Sequence, residues 1–432
     1  MAKPKSTQTT TPLFDTNGFT SALVVDAAIA SEISYGRNDL DWNALQADGW
    51  TNITDQLSFA KGSVVDGYFV NRNAAGIVLE KDGVLFVAFR GTDVDNPLPD
   101  MLSYWRLDGA DMTARYYADV GAMMDAAMAY AAASDEVTQV VATGHSLGGS
   151  AVDAALRAYG ADAYPELRGI TFNSPTSGLL NDGRELNVGY ANDMIYEIVG
   201  NTSAPNALHN LYYAIQPGEP MPDPGTETDY IALLSKVMQA WTSPAHDIAR
   251  FPDALQALAD SPIYDMVGRN DVVVLDGSQY AVSLDAMAKL SPSFDKAMAA
   301  SSKVGLIGQG GDDILGGSRY NDVIDGGAGN DIIVGLGGND TLWGGGGDDT
   351  FIFGKGFGRD VIKDYGPGDV LSFQTGPAGG DYLPDLAAVK AWVDSSPQVR
   401  ASFKNGDLTI SLGGRDSVTL EGVASWDAFA MV

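Results

Sequence analysis

The chain has 432 residues, no cysteine, and 56 acidic against 26 basic side chains, for a net charge of −30. A surface this anionic excludes nucleic acid and anionic membranes as primary partners and leaves divalent cations as the natural counter-charge. Without cysteine, neither disulfides nor thiolate metal sites can support the fold.

The N-terminal stretch Met1 to Thr16 has no apolar core, so no cleavable signal peptide is expected there. No run of about 18 apolar residues occurs anywhere, and no membrane span is expected. Ser21 to Ile33, rich in alanine, reads as a helix. Between Val64 and Arg90 the pattern is strand, turn, strand, with Asp82-Gly83 as a hairpin turn. Asp119 to Ala133 reads as a helix with Val120, Met124 and Met128 on one stripe.

Val137 to Thr143 reads as a buried strand and Leu147 to Tyr159 as a helix, with Gly144-His145-Ser146-Leu147-Gly148 on the bend between them. A G-x-S-x-G nucleophile elbow requires this context: the glycines let strand and helix approach, and the serine is held on a sharp, strained turn. Gly169 to Phe172 and Asp193 to Val199 read as further strands, completing the alternation of an α/β sheet. Residues 200 to 244 read as loop-rich. Helical patterns return at Asp247 to Leu258 and Leu284 to Ala300, where the first domain, 1–300, is expected to end.

From Gly308 the chain is written in nines, five repeats in one frame. The sixth position is always Asp (Asp313, Asp322, Asp331, Asp340, Asp349) and the eighth is always large and apolar (Leu315, Ile324, Ile333, Leu342, Phe351). This is the G-G-x-G-x-D-x-U-x pattern of a stacked β-structure. The glycines permit tight turns, the eighth side chain enters a narrow core, and the aspartates fall in rows. Those carboxylates repel one another unless a hard cation lies between turns, and Ca²⁺ takes about six to eight oxygen ligands. The repeats resemble those of RTX proteins, exported bacterial proteins that wind as a parallel β-roll. The second repeat departs from the pattern, with Arg319 and Tyr320 where small residues are usual, which puts calcium at that turn in doubt. Short strands between Phe351 and Glu421 are expected to cover the end of the roll, so the second domain, 301–432, comprises the roll (308–352) and a β-rich cap. The ending Asp427-Ala-Phe-Ala-Met-Val resembles the uncleaved C-terminal signal of RTX proteins that leave Gram-negative cells through a type I ABC exporter.

A serine nucleophile needs a base, itself oriented by a carboxylate. The chain has three histidines. His145 lies on the other side of the bend from Ser146 and reads as a packed neighbour. His209 has no distinguishing context, and His246, just before a helix, is the favoured base. In the order Ser, acid, His, the acid comes from Asp153, Asp162, Asp182, Asp193, Asp223 or Asp229. Asp153 and Asp162 belong to the elbow helix and its end, where solvent or capping is expected to hold them away from the site. Asp193 at a strand end is preferred, with Asp182 its rival. An oxyanion hole is expected from the strand end Phe89-Arg-Gly-Thr92 and from Leu147.

Taken together, Phe89-Arg-Gly-Thr-Asp93, Gly144-His-Ser-Leu-Gly-Gly149, Asn192-Asp193 and His246 resemble the class 3, fungal-type lipases over about residues 18 to 295. That resemblance implies an α/β-hydrolase fold, a Ser146, Asp193, His246 triad, an oxyanion hole of Thr92 and Leu147, and a lid within residues 93–113. The expected protein is a secreted, monomeric triacylglycerol lipase that works on a lipid interface and carries Ca²⁺ on Asp313, Asp322, Asp331, Asp340 and Asp349. A phospholipase A1 with the same triad, or a calcium-dependent adhesion protein with an inert hydrolase domain, are the alternatives.

Overall fold

The computed structural model describes residues 18–36, 40–92, 112–174, 183–190, 207–213, 247–267, 271–275, 281–290, 292–374 and 381–429. Packing divides the chain into two compact units. One comprises Phe14–His209 with Pro222–Gln256, the other Ala257–Val432 with Met1–Leu13 and Asn210–Met221.

The first unit opens with helix α1 (Ser21–Ile33), N-capped by Thr20, and the short α2 (Trp42–Ala47), N-capped by Asp41. Strand β1 (Thr51–Asn52), β2 (Ser63–Val65), β3 (Tyr68–Asn71), β4 (Ala74–Lys81) and β5 (Val84–Phe89) follow. The β4–β5 hairpin turns on Asp82 and Gly83, both at positive φ (51° and 77°), the backbone that a two-residue turn between twisted strands demands. Beyond α3 (Met112–Ala133), strand β6 (Gln139–His145) leads into α4 (Leu147–Ala158), then β7 (Leu167–Phe172) and β8 (Glu185–Tyr190). Strands β5, β6, β7 and β8 are consecutive and parallel, and β4 runs antiparallel on β5.

Alternation along the strands creates two faces. Leu85, Val87, Phe89, Val140 and Ala142 pack with Val120, Met123 and Met124 of α3 and with Leu147, Ala151 and Ala155 of α4. On the opposite face the Thr143 hydroxyl donates to the Ala27 carbonyl of α1 at 3.1 Å, and Phe86 meets Trp50 at 5.2 Å between ring centroids. Helices therefore cover both faces of a mainly parallel sheet, the α/β-hydrolase arrangement. Arg184 closes the far end of α4, donating to the carbonyls of Leu156 (2.9 Å) and Tyr159 (2.7 Å) that the helix leaves open. Asp153 is buried and paired with Arg157 at 3.0 Å, not exposed as its helical position suggests.

Strand β9 (Ala207–Tyr213) falls in the stretch read from sequence as loop, where Tyr212 and Tyr213 belong to a β-rich run inside a Pro- and Gly-rich context. After it come α5 (Phe251–Asp260), β10 (Val272–Leu275), β11 (Ala281–Ser283), α6 (Leu284–Leu290), α7 (Pro292–Ala300) and β12 (Val304–Ile307). The expected strand at 193–199 lies outside the described residues.

The second unit is wound from the repeats. Strands β13 (Ile314–Ser318), β14 (Asp322–Asp325), β15 (Ile332–Leu336), β16 (Thr341–Trp343), β17 (Thr350–Phe353), β18 (Arg359–Ile362) and β19 (Val370–Phe373) alternate between two parallel sheets. One sheet runs β10-β12-β14-β16-β18, the other β11-β13-β15-β17-β19. Partners stand two repeats apart, as in Ile314 with Ile332 and Ile332 with Thr350. All five eighth-position side chains are buried between the sheets, none more than 1% exposed. The winding starts before the repeats: β10, β11 and β12 are parallel rungs lying upstream of the nonapeptide frame. At the other end β20 (Asp381–Leu383) turns back on β19, helix α8 (Leu386–Ser395) follows, and β21 (Arg400–Lys404), β22 (Asp407–Ser411) and β23 (Ser417–Leu420) form an antiparallel cap joined to β18. Among the described residues no helix is long and apolar enough to cross a membrane.

Candidate active site and calcium roll

Because β5 to β8 are parallel and in register, their carboxyl ends open on one edge of the sheet. Phe89 stands opposite Gly144, and His145 opposite Phe172. This is the edge at which α/β sheets place their ligands.

At that edge β6 ends and the next residue, Ser146, takes φ 53° and ψ −124° before α4 begins at Leu147. A non-glycine residue held there is strained by about 1 to 3 kcal/mol, and its neighbours hold it in place. The Ser146 N–H donates to the Phe172 carbonyl at 2.9 Å, and the Ser146 carbonyl accepts from Gly149 N–H at 3.0 Å. The glycines are required by contact. A Cβ on Gly144 would stand 2.5 Å from the Gly148 carbonyl carbon, and one on Gly148 would stand 2.1 Å from the Phe89 carbonyl oxygen. Ser146 is 1% exposed, and its Oγ has no hydrogen-bond partner among the described residues.

The end of β5 wraps the elbow. A Cβ on Gly91 would meet the His145 carbonyl oxygen at 2.6 Å and the Tyr35 hydroxyl at 2.1 Å. Tyr116 donates its hydroxyl to the Arg90 carbonyl, and Arg90 N–H donates to the Ala75 carbonyl at 3.0 Å. Thr92 is buried, and its Oγ1, like Ser146 Oγ, has no hydrogen-bond partner among the described residues. Leu147 occupies the first turn of α4, where backbone N–H groups have no intrahelical acceptor.

Of the three histidines, His145 is a packed neighbour: it is buried, and its Nδ1 lies 2.8 Å from the Tyr35 hydroxyl. His209 falls within β9. His246, Asp193 and the rival Asp182 lie outside the described residues, as do residues 93–111 of the expected lid. The elements beside them are in place. Strand β8 ends at Tyr190, on the elbow edge, shortly before Asp193. Asp247 N-caps a 3-10 turn (Ile248–Arg250), and Phe251 then packs on Phe172 at 5.3 Å and Tyr190 at 4.5 Å between centroids. Phe172 is the residue whose carbonyl holds Ser146.

Two residues of this edge leave no signal in the sequence. Tyr35 follows α1 and reaches His145 across 110 residues, a contact with no local signature. Ser174, just past β7, is fully buried, has an unpartnered Oγ among the described residues, and packs where a Cβ on Gly149 would fall.

In the roll, the repeat aspartates form two ladders. Asp313, Asp331 and Asp349 each donate a backbone N–H to Oδ1 of the aspartate one full turn on, namely Asp331, Asp349 and Asp369. Asp322 and Asp340 do the same toward Asp340 and Asp360. The model of the RTX calcium-binding nonapeptide repeat matches residues 307–342 and, overlapping, 330–360.

Residues 307–360 are RTX calcium-binding repeats.

The RTX turns suit the ion by their own chemistry. Oδ2 of Asp331, Asp340 and Asp360 is buried without a hydrogen-bond partner among the described residues. Beside it lies a cradle kept open by glycine: a Cβ on Gly326 would stand 2.3 Å from Asp331 Oδ2 and 2.4 Å from the Gly344 carbonyl oxygen. The oxygens that face this cradle, a carboxylate and a backbone carbonyl, are a donor set suited to Ca²⁺. Burial, with neighbouring carboxylates adding to it, pushes Asp331 and Asp349 up to about 6 and Asp340 up to about 9, and burial raises Asp360 to about 7. A bound cation reverses that balance.

Among solved structures, the chain is similar over 97% of its length to the extracellular lipase LipA from Serratia marcescens, covering 94% of that chain at 18% identity with a TM-score of 0.52. The Lip2 lipase from Yarrowia lipolytica matches 44% of this chain and 76% of its own at 13% identity and a TM-score of 0.30. The Rhizomucor miehei triacylglyceride lipase matches 42% and 75% at 17% identity and a TM-score of 0.27. No curated protein matches the chain by sequence. The first of these likenesses establishes the fold, an α/β-hydrolase unit with an RTX β-roll.

Proposed function

We propose that the chain is a secreted carboxylic ester hydrolase of the lipase type, with residues 1–300 carrying the chemistry and the RTX half, 301–432, folding on calcium after export. The observation that carries this reading is Ser146, strained at φ 53° and ψ −124° between a parallel strand and a helix, with its hydroxyl free among the described residues. In this reading His246 accepts the Oγ proton as Oγ attacks the ester carbonyl carbon, and Asp193 orients the imidazole. The oxyanion takes hydrogen bonds from the backbone N–H groups of Thr92 and Leu147. His246 then returns the proton to the departing alcohol, and water attacks the acyl-serine by the same route in reverse. The position of Tyr190 before Asp193, and of Phe251 after His246, against the strand that holds Ser146 supports the acid and base assigned.

The name of the Serratia protein, an extracellular lipase, and the RTX repeats support a lipid ester as substrate and export through a type I ABC exporter guided by the uncleaved C-terminus. A triolein emulsion tests the reading. Ser146→Ala, in the calcium-loaded chain, should lose fatty-acid release by about 10⁴-fold or more; retained release would overturn it. A parallel arm on phosphatidylcholine separates triacylglycerol lipase from phospholipase A1.

A further inference from the structure

The second repeat is built differently from the three that follow it. In repeats three to five the second and fourth positions are left-handed: Gly327 and Gly329, Leu336 and Gly338, Gly345 and Gly347, at φ from 68° to 143°. The equivalent Ser318 and Tyr320 are not left-handed. The backbone of this turn therefore does not adopt the arrangement that repeats three to five share.

Its carboxylates are also already satisfied. Asp322 Oδ2 accepts from Ser318 N–H at 2.6 Å, and the Ser318 hydroxyl lies 3.0 and 3.1 Å from its two oxygens. By contrast, Oδ2 of Asp331, Asp340 and Asp360 has no hydrogen-bond partner among the described residues. Asp325, at the ninth position of the same repeat, accepts from the Ser261 hydroxyl at 2.5 Å. Outside the turn, the Arg319 guanidinium grips both oxygens of Asp295 on α7, at 2.7 and 3.0 Å, and donates to the Tyr320 hydroxyl at 2.7 Å. The Ser318 amide and hydroxyl thus occupy the carboxylate oxygens whose counterparts on Asp331, Asp340 and Asp360 include an open Oδ2.

We propose that the Gly317–Asp322 turn is a calcium-free turn, held by Ser318 and the Arg319–Asp295 clasp, and that it keeps the N-terminal rungs of the roll folded as a seed for the calcium-bound turns. The adjoining rungs β10, β11 and β12, which carry no repeat aspartate, extend the same seed. Repeat arrays propagate from a formed rung to its neighbour, so a calcium-independent end would remove the costly nucleation step from calcium-driven folding.

Two measurements on the full chain test this. In equilibrium dialysis with calcium, Asp322→Asn should leave the number of bound ions unchanged, Asp331→Asn should lose at least one, and the double change Ser318→Gly with Tyr320→Gly should gain one. In hydrogen exchange under EGTA, residues 314–325 of the wild type should stay protected while 332–353 exchange freely, and Arg319→Gln should abolish that protection. Loss of calcium in Asp322→Asn equal to that in Asp331→Asn, or exchange of 314–325 at the rate of 332–353 in the wild type, would overturn the proposal.

Discussion

Replacing Gly148 by alanine adds one methyl group to a helix position, a change that usually stabilises a helix by about 1 kcal/mol. Here it should do the opposite. The new Cβ would stand 2.1 Å from the Phe89 carbonyl oxygen, 2.9 Å from its carbon and 3.0 Å from the Arg90 carbonyl carbon, all backbone atoms without a rotamer to yield. To reach an ordinary contact of 3.4 Å, the end of β5 must retreat by about 1.3 Å from α4. Overpacking of this kind costs about 1 to 3 kcal/mol of stability. The retreating segment carries Thr92, the proposed oxyanion donor, and a shift near 1 Å at a transition-state donor costs on the order of 10²-fold in rate, with complete loss of one donor reaching about 10³-fold, or 4 kcal/mol. The assay is ester turnover well below the melting temperature, with circular dichroism to confirm folding. Gly160→Ala, where a Cβ meets nothing within 4 Å, is the control and should leave both quantities intact. Wild-type kcat and melting temperature in Gly148→Ala would refute the close strand-to-helix packing on which the site rests.

Other outcomes follow from the same structure. Arg184→Ala removes a buried guanidinium from the Leu156 and Tyr159 carbonyls and should cost about 2 to 3 kcal/mol, read as a lower melting temperature with kcat unchanged below it. Burial raises Asp331 and Asp349 from 3.8 to about 6, Asp360 to about 7 and Asp340 to about 9, so the folded calcium-free roll keeps protons that the unfolded chain has released. Its stability is therefore greatest below the unfolded value and falls as pH rises from about 4 through 9, most of the loss coming by 7. Thermal melts in EGTA should show a more stable C-terminal half at pH 5 than at pH 8, and the reverse order would contradict the burial of these groups. With calcium present the direction inverts, because the ion displaces the protons, and apparent calcium affinity should rise with pH across the same range.

What is legible in the sequence follows from the range of the forces involved. The elbow announces itself because strand, strained serine and close-approach glycines fall within a dozen residues, and Ser21 to Ile33 is found as a helix to the residue. The roll is legible because one rung recurs, fixing the eighth-position side chain inward each time. Helix α8 is not: it spans only ten residues among short strands and buries only Leu386 and Val389. Strand β8 hides for the opposite reason, since buried Glu185 and Asn187 break its apolar run, and a contact such as the Thr171 hydroxyl on Asn187 Oδ1 at 3.0 Å is made only in the folded chain. The rungs β10 to β12 are invisible to a nonapeptide frame because they supply strands without its glycines or aspartates. Acid and base assignments belong to the same class as these, since they depend on which strand ends meet and not on local pattern.

Labelling the calcium-loaded full chain with a fluorophosphonate, followed by mass spectrometry of its peptides, tests the nucleophile most directly. A catalytic Ser146 predicts a single adduct on that residue, abolished in Ser146→Ala. An unlabelled Ser146 in the folded, calcium-bound protein, or an adduct on another serine such as Ser174, would contradict it.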